Sequence, residues 1–166
     1  IHYKGTDKKS GELLITSGVK ISAAEVALMA SVGKSFVRVS QHPRIAIVST
    51  GNELVDISEK PLPHQIRRSN VYALQAEVNR LGLAAELYHV DDDEQILTEE
   101  LGNILHAHDV LLLSGGVSMG KYDFVPEVLK NLGVEKLFHK VKQKPGKPFW
   151  FGNRGDEKVV FAFPGN

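Results

Sequence analysis

The chain has 166 residues, no cysteine and a formal net charge of zero. The length suits one ordinary domain with a small appendage, and 42% hydrophobic residues are enough to bury a core. The absence of cysteine excludes disulfides and thiolate metal sites, and the zero net charge disfavours a nucleic-acid binder. The sequence contains no apolar run long enough to span a bilayer. We therefore expect a cytoplasmic protein without a membrane segment.

The leading region, residues 1–42, is predicted to be the end of a preceding domain with one helix. The helix is predicted over residues 21–32. Ser22 is its N-cap candidate, and Glu25 stands three residues later as the capping-box partner. Gly33 is the expected stop.

Residues 43–166 are predicted to form the main domain. The polar stretch Gln41-His42-Pro43-Arg44 separates it from the leading region. The chain begins at Ile1 rather than at a methionine and ends on Phe163-Pro164-Gly165-Asn166, which resembles a loop cut short. We therefore expect a fragment of a longer protein, with the main domain truncated at its C-terminal end.

In the main domain, strands and helices alternate. Continuous apolar runs predict buried strands, and apolar residues at helical spacing predict amphipathic helices. The predicted elements are strand 45–48, loop 58–68, helix 70–81, strand 85–90, helix 94–107, a central strand 110–113, helix 123–133 and three strands within 134–163 with turns at 145–147 and 152–155. This order predicts an α/β fold of three layers, α/β/α, with a mainly parallel sheet.

Small and charged residues follow three of the predicted strands, at positions 49–53, 91–93 and 114–116. In open parallel sheets, ligands bind beyond the carboxyl ends of the strands. The three segments are therefore expected to converge on one cleft.

The turn from Ser114 to Gly120 is the first candidate for chemistry. Gly115, Gly116 and Gly120 let a ligand approach the main chain, and successive N–H groups before a helix bind anions. Ser118 adds a hydroxyl. The spacing matches neither a Walker loop nor a dinucleotide fingerprint. A phosphate-type site and a plain glycine-rich loop are left as even alternatives.

Carboxylates at the strand ends each have two interpretations. Asp123 is either the N-cap of the third helix of the main domain or a carboxylate beside the anion site. The run of aspartates at 91–93 favours capping of the following helix. One cap needs only one aspartate, so binding of Mg²⁺ by another is the alternative. Glu53 belongs either to a polar-ligand clamp or to a turn in which Asn52 is left-handed.

Basic side chains are the expected counterpart. The alternate lysines of residues 140–144 share one face if the segment is extended, and Lys147 follows in a turn. They form either a solvated edge or an oxyanion site. His106 and His108 show no metal-ligand pattern and are expected on the surface. Ser69 and Asn70 are expected to cap a helix first and to contact a ligand second.

The motifs together resemble the molybdopterin molybdenumtransferases, the MoeA family, which is similar to the E-domain of gephyrin. The resemblance covers essentially the whole chain. Its motifs, in order, are Ser49-Thr50-Gly51-Asn52-Glu53-Leu54, Arg68-Ser69-Asn70, Asp92-Asp93, Ser114-Gly115-Gly116-Val117-Ser118-Met119-Gly120, Lys144-Pro145-Gly146-Lys147-Pro148 and Phe163-Pro164-Gly165-Asn166.

The resemblance implies a molybdopterin-binding domain of an enzyme in molybdenum cofactor biosynthesis. Such an enzyme inserts molybdate into adenylated molybdopterin, releases AMP and depends on Mg²⁺. The resemblance further implies a homodimer of full-length chains, with a molybdopterin adenylyltransferase as a further partner. Two alternatives are kept: molybdopterin adenylyltransferase itself, and a non-catalytic scaffolding module like gephyrin.

Residue roles also follow from the resemblance. The implied catalytic residues are Glu53, Asp92, Asp123, Lys140 and Lys144, of which Glu53 and Asp92 would bind the metal. The implied substrate-binding residues are Asp7, Thr50, Gly51, Asn52, Ser69, Asn70, Ser114, Gly115, Gly116, Ser118, Gly120, Pro145, Gly146, Lys147 and Pro164. Asp7 would reach the cleft from the neighbouring domain. Asn52 and Lys121 depart from the acidic residues usual in the family, and both changes remove negative charge.

Overall fold

A computed structural model describes residues 6–116 and 124–165. The chain divides into two compact units, Ile1–Gln41 and His42–Asn166. Within the described ranges, no helix combines the length and the apolar character that crossing a bilayer requires.

The first unit contains the helix α1 (Ala23–Ser31). The Ser22 hydroxyl accepts a hydrogen bond from the Ala24 N–H at 3.2 Å, and the Glu25 carboxylate accepts one from the Ser22 N–H at 2.8 Å. The hydrogen bonds from Ser22 lower the pKa of Glu25. The capping box predicted from the sequence is confirmed.

The second unit is built on a six-stranded sheet with the order β4-β1-β5-β8-β7-β6. Its elements are β1 (Ile45–Thr50), β2 (Leu54–Val55), β3 (Ile66–Arg67), α2 (Asn70–Arg80), β4 (Ala85–Val90), α3 (Glu94–Ala107), β5 (Val110–Ser114), α4 (Val125–Asn131), β6 (Glu135–His139), β7 (Trp150–Arg154) and β8 (Lys158–Phe163). Strands β4, β1, β5 and β8 are parallel, whereas β7 runs antiparallel to both β8 and β6. The mainly parallel α/β fold and the central position of β5 are confirmed.

Both faces of the sheet are packed, because β1 is buried throughout and its side chains alternate between the faces. On one face, Ile45 and Ile47 pack with Val71 and Val78 of α2. On the other face, Ala46 and Val48 join the larger core that contains residues of α3 and α4. The helix α2 therefore lies opposite α3 and α4, as the three-layer prediction requires.

After β1 the next strand of the sheet in the chain, β4, lies on one side, and after β5 the next strand, β6, lies on the other side, beyond β8 and β7. Strand order thus reverses between β1 and β5, which pair in parallel with Ser49 opposite Ser114. A crevice opens at such a switch point because the connections that leave the two strands diverge to opposite faces. The carboxyl ends of β1 and β5 are therefore where a ligand is expected.

Two predicted connections are wrong in detail. The predicted loop 58–68 contains β3, which pairs in parallel with β2. The turn predicted at 152–155 starts later, since β7 runs to Arg154. A Cβ on Gly152 would lie 2.5 Å from both the Glu135 carbonyl oxygen and the Trp150 ring, so this glycine serves close packing inside a strand.

Two predictions about basic residues are also corrected. Strand β6 ends at His139, and Lys140 adopts a left-handed φ of 76°, so the lysines of 140–144 do not lie on one extended strand face. His108 is buried rather than exposed. Its Nδ1 lies 3.0 Å from the Ile104 carbonyl oxygen, and its ring packs edge-on against Tyr88.

Candidate functional site

A cavity of about 240 Å³ opens at the carboxyl ends of β1, β5 and β8 and at the amino end of α2. It is lined by Ser49, Thr50, Gly51, Glu53, Leu54, Ile66, Arg67, Arg68, Ser69, Asn70, Val71, Asp92, Ser114, Gly115, Gly116, Pro164 and Gly165. The convergence of the three strand-end segments, predicted from the sequence, is therefore observed.

Gly115 and Gly116 form the floor beside Thr50. Both have positive φ, 101° and 66°, which side-chain-bearing residues rarely adopt. A Cβ on Gly115 would lie 2.7 Å from the Thr50 carbonyl oxygen, and one on Gly116 would overlap the Val125 side chain. Only glycine fits here, and both glycines line the cavity without a side chain.

The Thr50 hydroxyl is an unusual feature of this floor. Thr50 is 4% exposed, and its Oγ1 has no hydrogen-bond partner among the described residues. The neighbouring polar groups are paired: Ser49 Oγ donates to the Tyr88 carbonyl oxygen at 3.2 Å, and Asn70 Nδ2 donates to Ser114 Oγ at 3.2 Å. Because leaving a buried hydroxyl unbonded costs free energy, Thr50 indicates a place for a polar ligand atom.

Two carboxylates, Glu53 and Asp92, lie on the cavity wall. Both Glu53 oxygens lie 2.7 Å from where a Cβ on Gly51 would sit, so the carboxylate folds back over that glycine. The Asn52 Oδ1 accepts a hydrogen bond from the Asp92 N–H at 2.9 Å. Asn52 thereby ties the loop that carries Glu53 to the loop that carries Asp92.

Asn52 is not left-handed, because the positive φ of this turn belongs to Gly51, at 135°. The turn interpretation that invoked a left-handed Asn52 is therefore wrong. The clamp interpretation remains a prediction, and Asn52 itself does not line the cavity.

The aspartate run at 91–93 divides its roles. Asp93 caps α3, since its Oδ1 accepts from the Gln95 N–H at 2.9 Å and from the Ile96 N–H at 3.1 Å. Asp92 lines the cavity, whereas Asp91 is exposed outside it. The predicted capping function is thus confirmed for one aspartate, and a neighbouring one lies at the candidate site.

Ser69 and Asn70 behave differently from the expectation that they cap α2. The Ser69 side chain makes no capping hydrogen bond, and its backbone is already helical, with φ −81° and ψ −33°. Both residues line the cavity. The first turn of α2 therefore presents N–H groups near the cavity that no Ser69 side chain satisfies.

Arg67 and Arg68 are cavity-lining residues that the predicted site omitted. The signal that could have found them is their position: they precede α2 directly, next to the predicted contacts Ser69 and Asn70. The prediction of a loop over 58–68 missed β3, which ends at Arg67 and is followed directly by Arg68.

Several predicted site residues are not brought to the cavity. None of the predicted residues from 140 to 147 lines it, namely Lys140, Lys144, Pro145, Gly146 and Lys147. Ser118, Gly120, Lys121 and Asp123 lie outside the described residues. Asp7, in the first unit, lines a separate open depression beside Lys8 and Lys9. The roles of all these residues stay predictions.

The second unit is, by its fold and cavity, a doubly wound α/β domain with a polar crevice at its switch point. A family profile described as "Probable molybdopterin binding domain" matches residues 46–166, which is most of the chain. The chain belongs to this family, and the resemblance seen in the sequence motifs is confirmed.

Curated relatives and a solved structure support the same family. A molybdopterin molybdenumtransferase of Synechocystis sp. is 42% identical over 168 residues, covering all of this chain and 43% of that protein. One from Staphylococcus epidermidis is 32% identical over 167 residues, covering all of this chain and 40% of that protein. The crystal structure of a molybdopterin biosynthesis moea protein from Pyrococcus horikosii superposes with a TM-score of 0.69 at 32% identity, over 96% of this chain and 39% of that one. The chain thus spans about two fifths of the length of these relatives.

Proposed function

We propose that the protein carrying this chain is a molybdopterin molybdenumtransferase. It inserts molybdate into adenylated molybdopterin and releases AMP, and the switch-point cavity is the substrate site. One observation carries the proposal: a single crevice is surrounded by glycines with positive φ, two carboxylates and a buried hydroxyl that has no partner in the described part of the chain. Relatives that span the whole chain bear this activity in their names.

Glu53 and Asp92 fit a Mg²⁺ ion, because hard carboxylate oxygens are its preferred ligands. Among the described residues, no group of three or more acidic or histidine side chains could hold a metal. Two carboxylates suffice for Mg²⁺, which usually completes its shell with water and substrate phosphates. When bound, the ion offsets negative charge on the phosphate oxygens.

The chain's own groups bind and orient the anionic substrates. The main chain at Gly116 and the Thr50 hydroxyl are available to substrate oxygens at the floor, whereas the Gly115 N–H already donates to the Phe163 carbonyl oxygen at 3.2 Å. Such fixed donors stabilise charge that develops on the leaving phosphate without having to reorganise. From the resemblance, the proposal also includes Asp123, Lys140 and Lys144 as catalytic residues.

The central experiment measures AMP release by the full-length protein with adenylated molybdopterin, molybdate and Mg²⁺. Asp92→Ala is expected to abolish AMP release while leaving the melting temperature and the near-UV circular dichroism unchanged. Asp91→Ala is the matched control, since the neighbouring carboxylate is exposed and lies outside the cavity. Wild-type turnover by Asp92→Ala would sink the assignment.

A second incubation separates the alternatives. If molybdopterin and ATP yield adenylated molybdopterin, the protein is an adenylyltransferase. If the full-length protein does not bind adenylated molybdopterin, a scaffolding role is favoured.

The proposal also includes a homodimer of full-length chains in the cytoplasm, which receives its substrate from a molybdopterin adenylyltransferase. Light scattering on the full-length protein tests the dimer. Co-purification of the two enzymes tests the transfer partner.

A further inference from the structure

Arg68 is the more enclosed of the two basic residues on the cavity wall. Its side chain is 23% exposed, whereas the adjacent Arg67 is exposed and donates from Nε to the Ile57 carbonyl oxygen at 3.1 Å. Within the part of the chain that the structure describes, these two arginines are the basic residues lining the cavity. The same wall carries the carboxylates of Glu53 and Asp92, so an incoming anion needs a fixed positive group there.

Asp56 holds Arg68 from outside the cavity lining. Its Oδ2 accepts hydrogen bonds from the Arg68 guanidinium and, at 3.2 Å, from the Tyr72 hydroxyl. Its Oδ1 accepts from the Ser58 N–H at 3.1 Å and from the Ser58 hydroxyl at 2.8 Å. The pKa of Asp56 lies well below its usual range, first because of the Arg68 hydrogen bond. An arginine held in this way loses little conformational freedom when it binds a ligand.

Unused hydrogen-bonding capacity surrounds Arg68. Its Nε is buried and has no partner among the described residues, and the same is true of Thr50 Oγ1 at the end of β1. The first turn of α2 lines the same cavity without a Ser69 cap. A helix amino terminus, a guanidinium and a hydroxyl together match the oxygens of a tetrahedral anion.

We propose that Arg68 is a ligand-binding residue that, together with the first turn of α2 and the Thr50 hydroxyl, holds a tetrahedral oxyanion. Asp56 is its positioning residue. The assignment rests on the proposed function, in which such a group comes from two sources, the phosphate of the adenylated substrate and molybdate.

Isothermal titration of the full-length protein with AMP and, separately, with molybdate, both with Mg²⁺ present, tests the assignment. Arg68→Gln is expected to raise the Kd of at least one anion about tenfold or more. Arg44→Gln is the matched control, because Arg44 also pairs with an aspartate, Asp109, but lies away from the cavity. Its Kd for both anions should stay within about twofold of the wild-type value. A selective loss for AMP identifies a phosphate site, and a selective loss for molybdate identifies the metal-oxyanion site.

The salt dependence of anion binding tests whether Arg68 binds the anion itself or only supports the cavity wall. Raising the salt concentration should weaken binding less in Arg68→Gln than in Asp56→Asn, because only the first change removes a positive charge. If Arg68→Gln and Asp56→Asn lose the same anion affinity with the same salt dependence, Arg68 only supports the local structure of the cavity wall. That result would overturn the assignment. If Arg68→Gln fails to fold, Arg68→Lys replaces it in the experiment. We expect this variant to bind the anion about threefold to tenfold more weakly at an unchanged melting temperature. Wild-type affinity in this variant would also overturn it.

The two proposals fail differently. If the unsubstituted protein binds an anion and Arg68→Gln binds it equally well, only the Arg68 assignment falls. If the unsubstituted protein binds neither AMP nor molybdate, the assignment and the proposed function fall together.

Discussion

At the amino ends of the parallel strands, polar side chains bond the protein itself, whereas at the carboxyl ends they surround a cavity. Arg44 and Asp109 form a two-point ion pair, with the closer contact at 2.7 Å. Lys158 Nζ donates to the carbonyl oxygens of His106 at 3.2 Å and of His108 at 2.8 Å. These contacts join the starts of β1, β5 and β8 to the end of α3, so this end holds the layers together.

The carboxyl ends show the opposite arrangement. Thr50 Oγ1 and Arg68 Nε are buried without partners among the described residues, and Gly115 and Gly116 have positive φ. The two buried groups without partners cost stability, and folding alone gives no compensation for them. The difference indicates that one end of the sheet maintains the fold and the other is arranged for a ligand.

The largest expected effect is that of Gly116→Ala. The new methyl group would overlap Val125 at a φ of 66°, so we expect a loss of about 3 kcal/mol in unfolding free energy together with loss of AMP release. Gly155→Ala is the control in the turn after β7: its φ is 61°, but nothing lies within 4 Å, so only about 1 kcal/mol should be lost. Urea unfolding measures both, and equal losses would contradict the crowding argument.

Thr50→Val tests the buried Thr50 hydroxyl directly. Removing a buried hydroxyl that has no partner among the described residues should stabilise the fold by about 1 kcal/mol, while binding of the proposed anion weakens roughly tenfold. The control is Thr98→Val, since the Thr98 hydroxyl donates to the Glu94 carbonyl oxygen within α3. Unchanged anion affinity in Thr50→Val would show that this hydroxyl is not used for binding.

Asp93→Ala tests whether a carboxyl-end residue outside the cavity is structural. Loss of its two bonds to the first turn of α3 should cost about 1 kcal/mol, with AMP release unchanged. Ser69→Ala should leave stability nearly unchanged, because Ser69 makes no capping bond to α2. Chemical denaturation of the two variants should therefore differ, and a comparable loss in both would contradict the assigned caps.

The smallest expected effect lies at the amino end, in Asp109→Asn. The pKa of Asp109 is held well below its usual range, first by the hydrogen bond from Arg44. A depressed pKa stabilises the fold above the unfolded-state value of about 3.9, and this contribution is lost as the pH falls toward the lower folded-state value.

The melting temperature of the wild-type protein should therefore exceed that of Asp109→Asn at pH 7, and the difference should shrink progressively as the pH falls below about 4. AMP release at neutral pH should not change. A difference that persists undiminished at pH 2 would contradict the ion-pair explanation.

The regular elements could be predicted because each depends on local pattern. The strand at 85–90 and the helix at 94–107 have the predicted bounds, since apolar runs and helical spacing determine burial directly. The short strands β2 and β3 were not predicted. Each has only two residues, too few to show an alternating apolar pattern, and they form by pairing with one another. The burial of His108 was not predicted for a similar reason, because it depends on a contact with Tyr88, which lies in β4 and is distant in sequence.

The site was only partly predictable. The sequence by itself determined the alternation of strands and helices, the glycine turn after β5 and the aspartates after β4, because all of these are local in the chain. The family resemblance singled out Asp92, but only the tertiary structure decided that Asp92 lines the cavity while Asp93 caps α3, and that arginines rather than the expected lysines lie on the cavity wall. The physical reason is that a cavity is made by segments distant in sequence, and the pairing of β2 with β3 and the order of the strands set which side chains meet there.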